Sequence, residues 1–210
     1  MNNSVRNTAR LTWAALRALL VLTVVTGVIY PLAVWAVAQT AFHNQANGDQ
    51  VTVNGKVVGS SLLGQNFNLP LRKGQTTPAP DPKWFQPRPS VAGSGGYDPT
   101  ASGASNLGPT NPKLAQTIEQ RRAQVAVFNG VSLSAVPVDA VTASGSGLDP
   151  DISPQYAQIQ VDRVAKARHL PVAEVDKLVQ EHTNGREFGI LGEPTVNVLK
   201  LNIALQKLAG

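Results

Sequence analysis

Residues Ala18 to Ala38 read ALLVLTVVTGVIYPLAVWAVA and contain no charged side chain. As an α-helix this run is roughly 31 Å long, close to the ~30 Å hydrocarbon thickness of a bilayer. Aromatic residues flank it, Trp13 before the run and Trp35 and Phe42 at its far end, as is typical where membrane helices meet the headgroups. The sequence therefore predicts one transmembrane helix over 18–38.

Basic residues are distributed unequally around this helix. Arg6, Arg10 and Arg17 precede it, whereas the first basic residue after it is Lys56. Because the cytoplasmic flanks of membrane helices are the basic ones, the N-terminus is predicted to lie inside the cell. The predicted organisation is a cytoplasmic N-terminus, a transmembrane helix and one extracytoplasmic domain, over 1–17, 18–38 and 39–210.

The apolar run has a second interpretation, a secretory signal peptide that is removed. Ala36-Val37-Ala38 resembles a cleavage site made of small residues. However, the run is longer than the ~7–15 residues of a signal's hydrophobic core, and Pro31 lies in its second half. We therefore favour a retained anchor, and the mass of the mature chain distinguishes the two.

One face of the helix carries small and polar side chains. At about 100° per residue, Thr23, Thr26, Gly27 and Tyr30 lie on one side. Thr23 and Gly27 have the small-xxx-small spacing that lets a second helix approach closely. These four residues are the candidate contacts with a partner helix; the alternative is chance, because membrane helices tolerate Gly and Thr.

The rest of the sequence predicts a single α+β domain with a hairpin, several helices and long Gly/Pro-rich loops. Asn54-Gly55 between two β-rich runs predicts the hairpin, over 50–58. Residues 59–112 are long for a loop, but Trp84, Phe85 and Tyr97 argue against disorder. Caps and apolar spacing predict helices over 112–129, 154–168, 172–182 and from 198 onward, and a short strand over 136–141.

Composition and motifs exclude several functions. The chain has no cysteine, so disulfides and thiolate chemistry are excluded. Setting aside the three N-terminal arginines leaves 15 basic against 13 acidic residues, which does not indicate nucleic-acid binding. Phosphate-binding loop, nucleophile-elbow and His-Glu-x-x-His motifs are absent. We therefore expect no catalytic residue, no metal site and no enzymatic activity of the chain on its own.

Several short runs follow one another along most of the chain from residue 25 on: GVIYP from Gly27, GSSLLGQNF from Gly59, WFQPRPS from Trp84, ASGASNLGPTNP from Ala101, VTASGSGLDP from Val141, ISP from Ile152, Gln160, RVAKAR from Arg163 and LGEPTVNVL from Leu191. In this order they resemble the C subunit of the Kdp-type potassium-transporting P-type ATPase. The sequence departs from the family pattern in a longer segment over 68–83 and in Trp84, where tyrosine is more frequent.

The resemblance implies an accessory subunit of an ATP-driven, high-affinity potassium uptake complex in the bacterial inner (plasma) membrane. The implied partners are a channel-like pore subunit, a P-type pump subunit that hydrolyses ATP, and a small membrane peptide. ATP and potassium ion are used by the complex, and no cofactor is assigned to this chain. The phosphorylation sequence Asp-Lys-Thr-Gly is absent, since Leu178 follows Asp176-Lys177.

The family is described as a catalytic chaperone that raises the ATP affinity of the pump subunit. ATP binds on the cytoplasmic side, whereas the domain is predicted to lie outside, about 30 Å of hydrocarbon away. We therefore expect the domain to cap the outer entrance of the potassium pore instead. The alternatives from other classes are a membrane-anchored extracytoplasmic enzyme and a secreted binding module.

The long Gly/Pro-rich region holds the last candidate site. Arg88, Asn106 and Asn111 supply a guanidinium and two amides, and arginine is favoured at the centre of interfaces. We expect 84–112 and 142–153 to be ordered, either against the body of the domain or against the outer loops of the pore subunit. The two readings assign these residues to folding or to an interface.

Overall fold

The computed structural model describes residues 2–75 and 77–208, and the chain divides into two compact units between Asp49 and Gln50. By length and composition, the helical stretch Ser4–Ala41 of the first unit can cross a membrane. The predicted span 18–38 is part of this longer, continuous helix. Its parts are α1 (Asn2–Val24), a π-helical turn (Val25–Ile29) and α2 (Tyr30–Ala41), and the short α3 (His43–Ala46) follows.

The π-helical turn has a local cause in Pro31. Proline has no N–H, so it cannot donate to the carbonyl of Gly27, four residues earlier. In the turn before it, the N–H of Tyr30 donates to Val25 O, five residues earlier, rather than to Thr26 O, four residues earlier. The turn thus holds one residue more than an α-helical turn, a local feature that often occurs at functional sites.

The predicted hairpin is confirmed in the second unit. β1 (Gln50–Val53) pairs antiparallel with β2 (Lys56–Ser60). Asn54 and Gly55 form the two-residue turn with φ of 50° and 76°. Positive φ at both positions is what such a turn requires, and Asn and Gly are the residues that tolerate it best.

A small three-stranded antiparallel sheet was not predicted; its strand order is β3 (Asp151–Ile152), β5 (Thr195–Asn197), β4 (Thr183–Asn184). Its strands are only two or three residues long, too short for an alternating pattern to be visible in the sequence. The fold class is nevertheless α+β, as predicted. The remaining elements are α4 (Pro112–Asn129), β3 (Asp151–Ile152), α5 (Pro154–Gln158), α6 (Val161–Arg168), α7 (Val172–Glu181), β4 (Thr183–Asn184), β5 (Thr195–Asn197) and α8 (Val198–Leu208).

The strand predicted over 136–141 is wrong. The segment forms a 3-10 turn, Val138–Ala140, preceded by another at Leu133–Ala135. Its apolar residues have helical spacing, because Val136 and Ala140 are buried whereas Val138 is exposed. Asp139 in the turn accepts hydrogen bonds from both N–H and Oγ of Ser153, at 2.7 and 2.9 Å.

The helix predicted over 154–168 is correct in its start and end but is interrupted. Ser153 caps α5 by accepting from the N–H of Tyr156 at 3.0 Å. The chain leaves the regular helix between Gln158 and Val161, and Gln160 lies in this break with its side chain fully buried. The break separates α5 from α6 and gives Gln160 a role in the site below.

The core lies between α6, α7, α8 and the small sheet. The largest fully buried side chain is Phe85, which belongs to the long irregular region rather than to a helix or strand. Phe67 and Trp84 of the same region pack against this core. The Gly/Pro-rich region is therefore an irregular but packed part of the domain. Phe85 shares one buried cluster with apolar residues that include Tyr156, Ala157, Val161, Val164, Val175, Val179, Val196, Leu201 and Leu205.

Candidate functional site

Two buried side-chain amides hold the long region in the core. Asn202 of α8 accepts from Phe85 N–H at 2.9 Å and donates to Phe85 O at 3.0 Å. Gln160 accepts from Gln86 N–H at 2.7 Å and donates to Gln86 O at 3.1 Å. Each amide satisfies both backbone groups of one buried residue, as a neighbouring strand would do. We call Gln160 and Asn202 the amide clamps.

Two arginines hold the residues that immediately precede Phe85 in the sequence. Arg163 donates to Pro82 O at 2.6 Å and to Trp84 O at 3.0 Å. Arg168 lies over the Trp84 ring, 4.1 Å from its centroid, and donates to Lys83 O at 2.7 Å. Burial lowers the pKa of the Arg163 guanidinium to about 10, which leaves it charged near neutral pH. Both arginines thus supply charge-assisted hydrogen bonds to backbone carbonyls that have no strand partner.

Arg88 joins the two loops whose ordering was predicted. Its Nη1 donates to Asp149 Oδ2 at 2.8 Å, and its Nε and Nη2 lie 3.4 Å from Thr142 O. Tyr97 Oη donates to Arg88 O. Burial raises the pKa of the Tyr97 hydroxyl, so it stays protonated and acts as a donor. Both loops are therefore packed within the domain and joined at Arg88, while a contact of Arg88 with another subunit stays a prediction.

A close backbone crossing lies beside Arg88. Ser90 Oγ donates to Gly147 O at 2.6 Å, and Gly103 N–H donates to Ser146 O at 2.8 Å. Gly147 has a φ of 68°, and a Cβ there would lie 2.7 Å from Gly103 O. Only glycine suits that position, because both its backbone conformation and its surroundings exclude a side chain.

The other two predicted residues of this region do not share one site with Arg88. Asn111 is the N-cap of α4, since its side chain accepts from Lys113 N–H at 2.9 Å. Asn106 is exposed and has a φ of 52°, in the left-handed region that asparagine tolerates. The structure thus gives Asn111 a capping role and places Asn106 in irregular, exposed backbone, while a contact with another subunit stays a prediction.

The candidate helix contacts lie at the π-helical turn. Thr26 and Gly27 are within it, Thr23 precedes it and Tyr30 follows it. The wider turn changes the angle between successive residues, so the four are not aligned as strictly as a uniform helix predicts. A Cβ on Gly27 would meet nothing within 4 Å. Packing within the chain therefore does not require glycine at this position. The close approach of a partner helix is a physical reason for glycine there.

The chemistry of these sites is binding and ordering. Among the residues that the structure describes, no three His, Cys, Asp or Glu side chains are close enough to hold a metal ion. The backbone carbonyls of Pro82, Lys83, Trp84, Phe85 and Gln86 accept side-chain hydrogen bonds within the domain.

These features define a class of protein: one apolar anchor helix followed by a compact α+β domain whose long irregular region is fixed by buried polar side chains. The family model described as KdpC, the c chain of a K⁺-transporting ATPase, matches residues 12–207. The chain belongs to this family. Membership confirms the resemblance and is consistent with an accessory subunit of a potassium uptake complex.

Curated relatives are similar over nearly the whole chain. Potassium-transporting ATPase KdpC subunits are 58% identical in Streptomyces avermitilis and 53% identical in Streptomyces coelicolor, each over 99% of this chain and over 98% and 97% of the relative. The subunit of that name in Kineococcus radiotolerans is 51% identical over 100% of both chains. The similarity thus extends over the anchor helix and the domain together.

The amide clamps were not predicted as site residues. Gln160 is among the runs that carry the family resemblance, whereas Asn202 belongs to none of them. The available signal was position: Asn202 lies between Leu201 and Leu205, on the apolar face of α8. A polar side chain on a buried helix face must find a hydrogen-bond partner, although the sequence does not show which one.

Proposed function

We propose that the chain is an accessory, non-catalytic subunit of an ATP-driven, high-affinity potassium uptake complex, assisting the assembly and coupling of its pore and pump subunits. The observation that carries the proposal is the family match over 12–207, which includes both the anchor helix and the domain. ATP hydrolysis resides in another subunit in this proposal. The partners are the channel-like pore subunit, the P-type pump subunit and a small membrane peptide.

We propose the topology from the charges at the ends of the helix. The basic residues Arg6, Arg10 and Arg17 keep the N-terminus in the cytoplasm, and the domain lies outside. From there it can contact the outer entrance of the potassium pore directly. An effect on the ATP affinity of the pump subunit would have to cross the membrane, through the anchor helix or through the partner subunits, because the domain and the nucleotide lie on opposite sides.

The anchor helix supplies the second contact in this proposal. The open surface at Gly27 lets the backbone of a neighbouring helix come close. Thr26 Oγ1 donates to Leu22 O at 2.7 Å, so its polar group is already satisfied in the membrane. Within the π-helical turn of 25–29, Gly27 is thus the small position that suits close helix packing.

Co-purification tests this function. The chain would be tagged at its C-terminus, coexpressed with the pore and pump subunits and isolated in mild detergent. We expect an intact chain that retains its N-terminal helix, together with both other subunits and potassium-stimulated ATPase activity. Recovery of a chain that lacks its first 38 residues and binds neither subunit would instead support the secreted binding module.

A further inference from the structure

The loop between β4 and β5 presents apolar side chains to solvent. Phe188, Ile190 and Leu191 are 89, 76 and 57% exposed. Singly exposed apolar residues are normal, but a contiguous apolar cluster marks a contact surface. Membership of the potassium pump family does not by itself explain why these apolar side chains are exposed. We call residues 188–191 the apolar tip.

Backbone hydrogen bonds and an ion pair close the base of the apolar tip. Glu187 and Leu191 form an antiparallel bridge that encloses the turn, with Glu187 N–H and Leu191 N–H each bonded to the other residue's carbonyl at 2.9 Å. Arg186 pairs with both carboxylate oxygens of Glu193 across the base, at 3.1 and 2.9 Å. Beyond this base, β5 runs directly into the core at Val196.

The backbone of the apolar tip contains residues with positive φ, and its N–H groups at 189 and 190 are hydrogen-bonded. Phe188 has a φ of 52° and Gly189 a φ of 77°. A bulky residue with positive φ is unfavourable, and such strain is concentrated at binding sites. Gly189 N–H donates to Arg186 O at 3.0 Å, and Ile190 N–H donates to Glu187 O at 3.2 Å. These N–H groups can therefore be buried without losing hydrogen bonds.

The charges around the apolar tip distinguish a protein partner from lipid. Arg186 is paired with Glu193, and Glu187 forms no ion pair among the residues that the structure describes. Loops that insert into anionic bilayers are flanked by free basic residues, which attract the headgroups. An acidic flank is repelled by such a surface, but it complements a pocket with a basic rim.

We propose that the apolar tip inserts into an apolar pocket with a basic rim on the outer face of a partner membrane subunit. This inference rests on the proposed function, since it needs the complex to exist. Phe188 fills the pocket as a rigid aromatic anchor, the residue type that dominates binding energy at interfaces. Glu187 faces the basic rim and sets the orientation of the tip.

An assembly experiment tests the contact with a matched control. The double variant F188S/I190S removes the apolar tip, whereas V127S/V138S removes two equally apolar residues that are 84 and 71% exposed on separate elements. The full chain is coexpressed with the other subunits, and its retention is measured during detergent washing. We expect retention of the tip variant to fall about fivefold or more, with wild-type retention of the control.

The outcomes separate this inference from the proposed function. If the wild-type chain does not co-purify with the other subunits, the proposed function fails. If wild type, tip variant and control are retained equally, the function stands and the role of the apolar tip is refuted. Melting of each full-length variant in detergent, expected to match wild type, excludes unfolding as the cause of a loss.

A fluorescent label decides between pocket and lipid. Because the chain has no cysteine, F188C can be labelled specifically with bimane before the full chain is added to a complex that lacks it. We expect a blue shift on assembly in vesicles that contain brominated phospholipid, without quenching by the bromine. Quenching would show insertion into the bilayer, and unchanged emission would show a tip in water; either result overturns the proposal.

Discussion

Replacing Gln160 by leucine tests the amide clamps most sharply. The substitution keeps a side chain of similar size in a fully buried position but removes both bonds to Gln86. The N–H and C=O of Gln86 then stay buried without partners, at a cost of about 1–3 kcal/mol each. Arg163 Nη2 also loses its 2.7 Å acceptor, Gln160 Oε1. We expect Q160L to lower the free energy of unfolding by about 2–6 kcal/mol.

Urea unfolding of the full chain in mild detergent measures this loss. Trp84 reports on the transition, because its ring packs against the core and under Arg168. Q155L is the matched control, since Gln155 is an exposed glutamine on α5. Its effect should stay within about 0.5 kcal/mol. If Q160L and Q155L unfold at the same urea concentration, the clamp does not stabilise the domain and our reading of the long region is wrong.

Three further substitutions test separate contacts. Gly27→Leu should weaken assembly by about 1–2 kcal/mol or less, measured as complex recovered in detergent, whereas Val25→Leu is tolerated; equal recovery excludes the helix contact. Arg88→Ala should lower the stability of the full chain by about 1–2 kcal/mol, because a partly buried ion pair is lost. An unchanged melting temperature with reduced potassium-stimulated ATPase activity would instead assign Arg88 to an interface. Gly147→Ala should cost about 1–3 kcal/mol of stability, since its φ is 68°, whereas Gly145→Ala has open space and should be neutral; equal melting temperatures would contradict the close crossing.

The elements that the sequence predicts well depend on local signals. The hairpin follows from Asn54-Gly55 between two β-rich runs. Helix α4 begins after its Asn111 cap and ends at Asn129, before the C-cap Gly130 with a φ of 68°. The membrane helix follows from an uncharged run of bilayer length. In each case, neighbouring residues contain all the information that the backbone needs.

The elements that were missed depend on distant contacts. β3 and β5 consist of a few residues that pair 46 positions apart in sequence, as Asp151 does with Asn197. Phe85 is in the core because Asn202, 117 residues later, replaces a strand partner. Val136 to Val141 has the local pattern of a strand. It forms a 3-10 turn instead, because Asp139 bonds to Ser153, which is distant in sequence. Local patterns cannot show such pairings.

The candidate site could be predicted only in part for the same reason. Arg88 was singled out by residue type, but its partners Asp149 and Thr142 lie 61 and 54 positions away. The π-helical turn at Gly27 depends on Pro31, which is visible in the sequence, although the extra residue in the turn is not.

Cysteine labelling in intact spheroplasts shows on which side of the membrane the domain lies. The natural chain has no cysteine, so V127C places one thiol on the exposed surface of α4, and T8C places one in the N-terminal segment. A membrane-impermeant maleimide should label V127C in intact spheroplasts and T8C only after the membrane is broken. Labelling of T8C in intact cells, with V127C protected until lysis, would contradict the account.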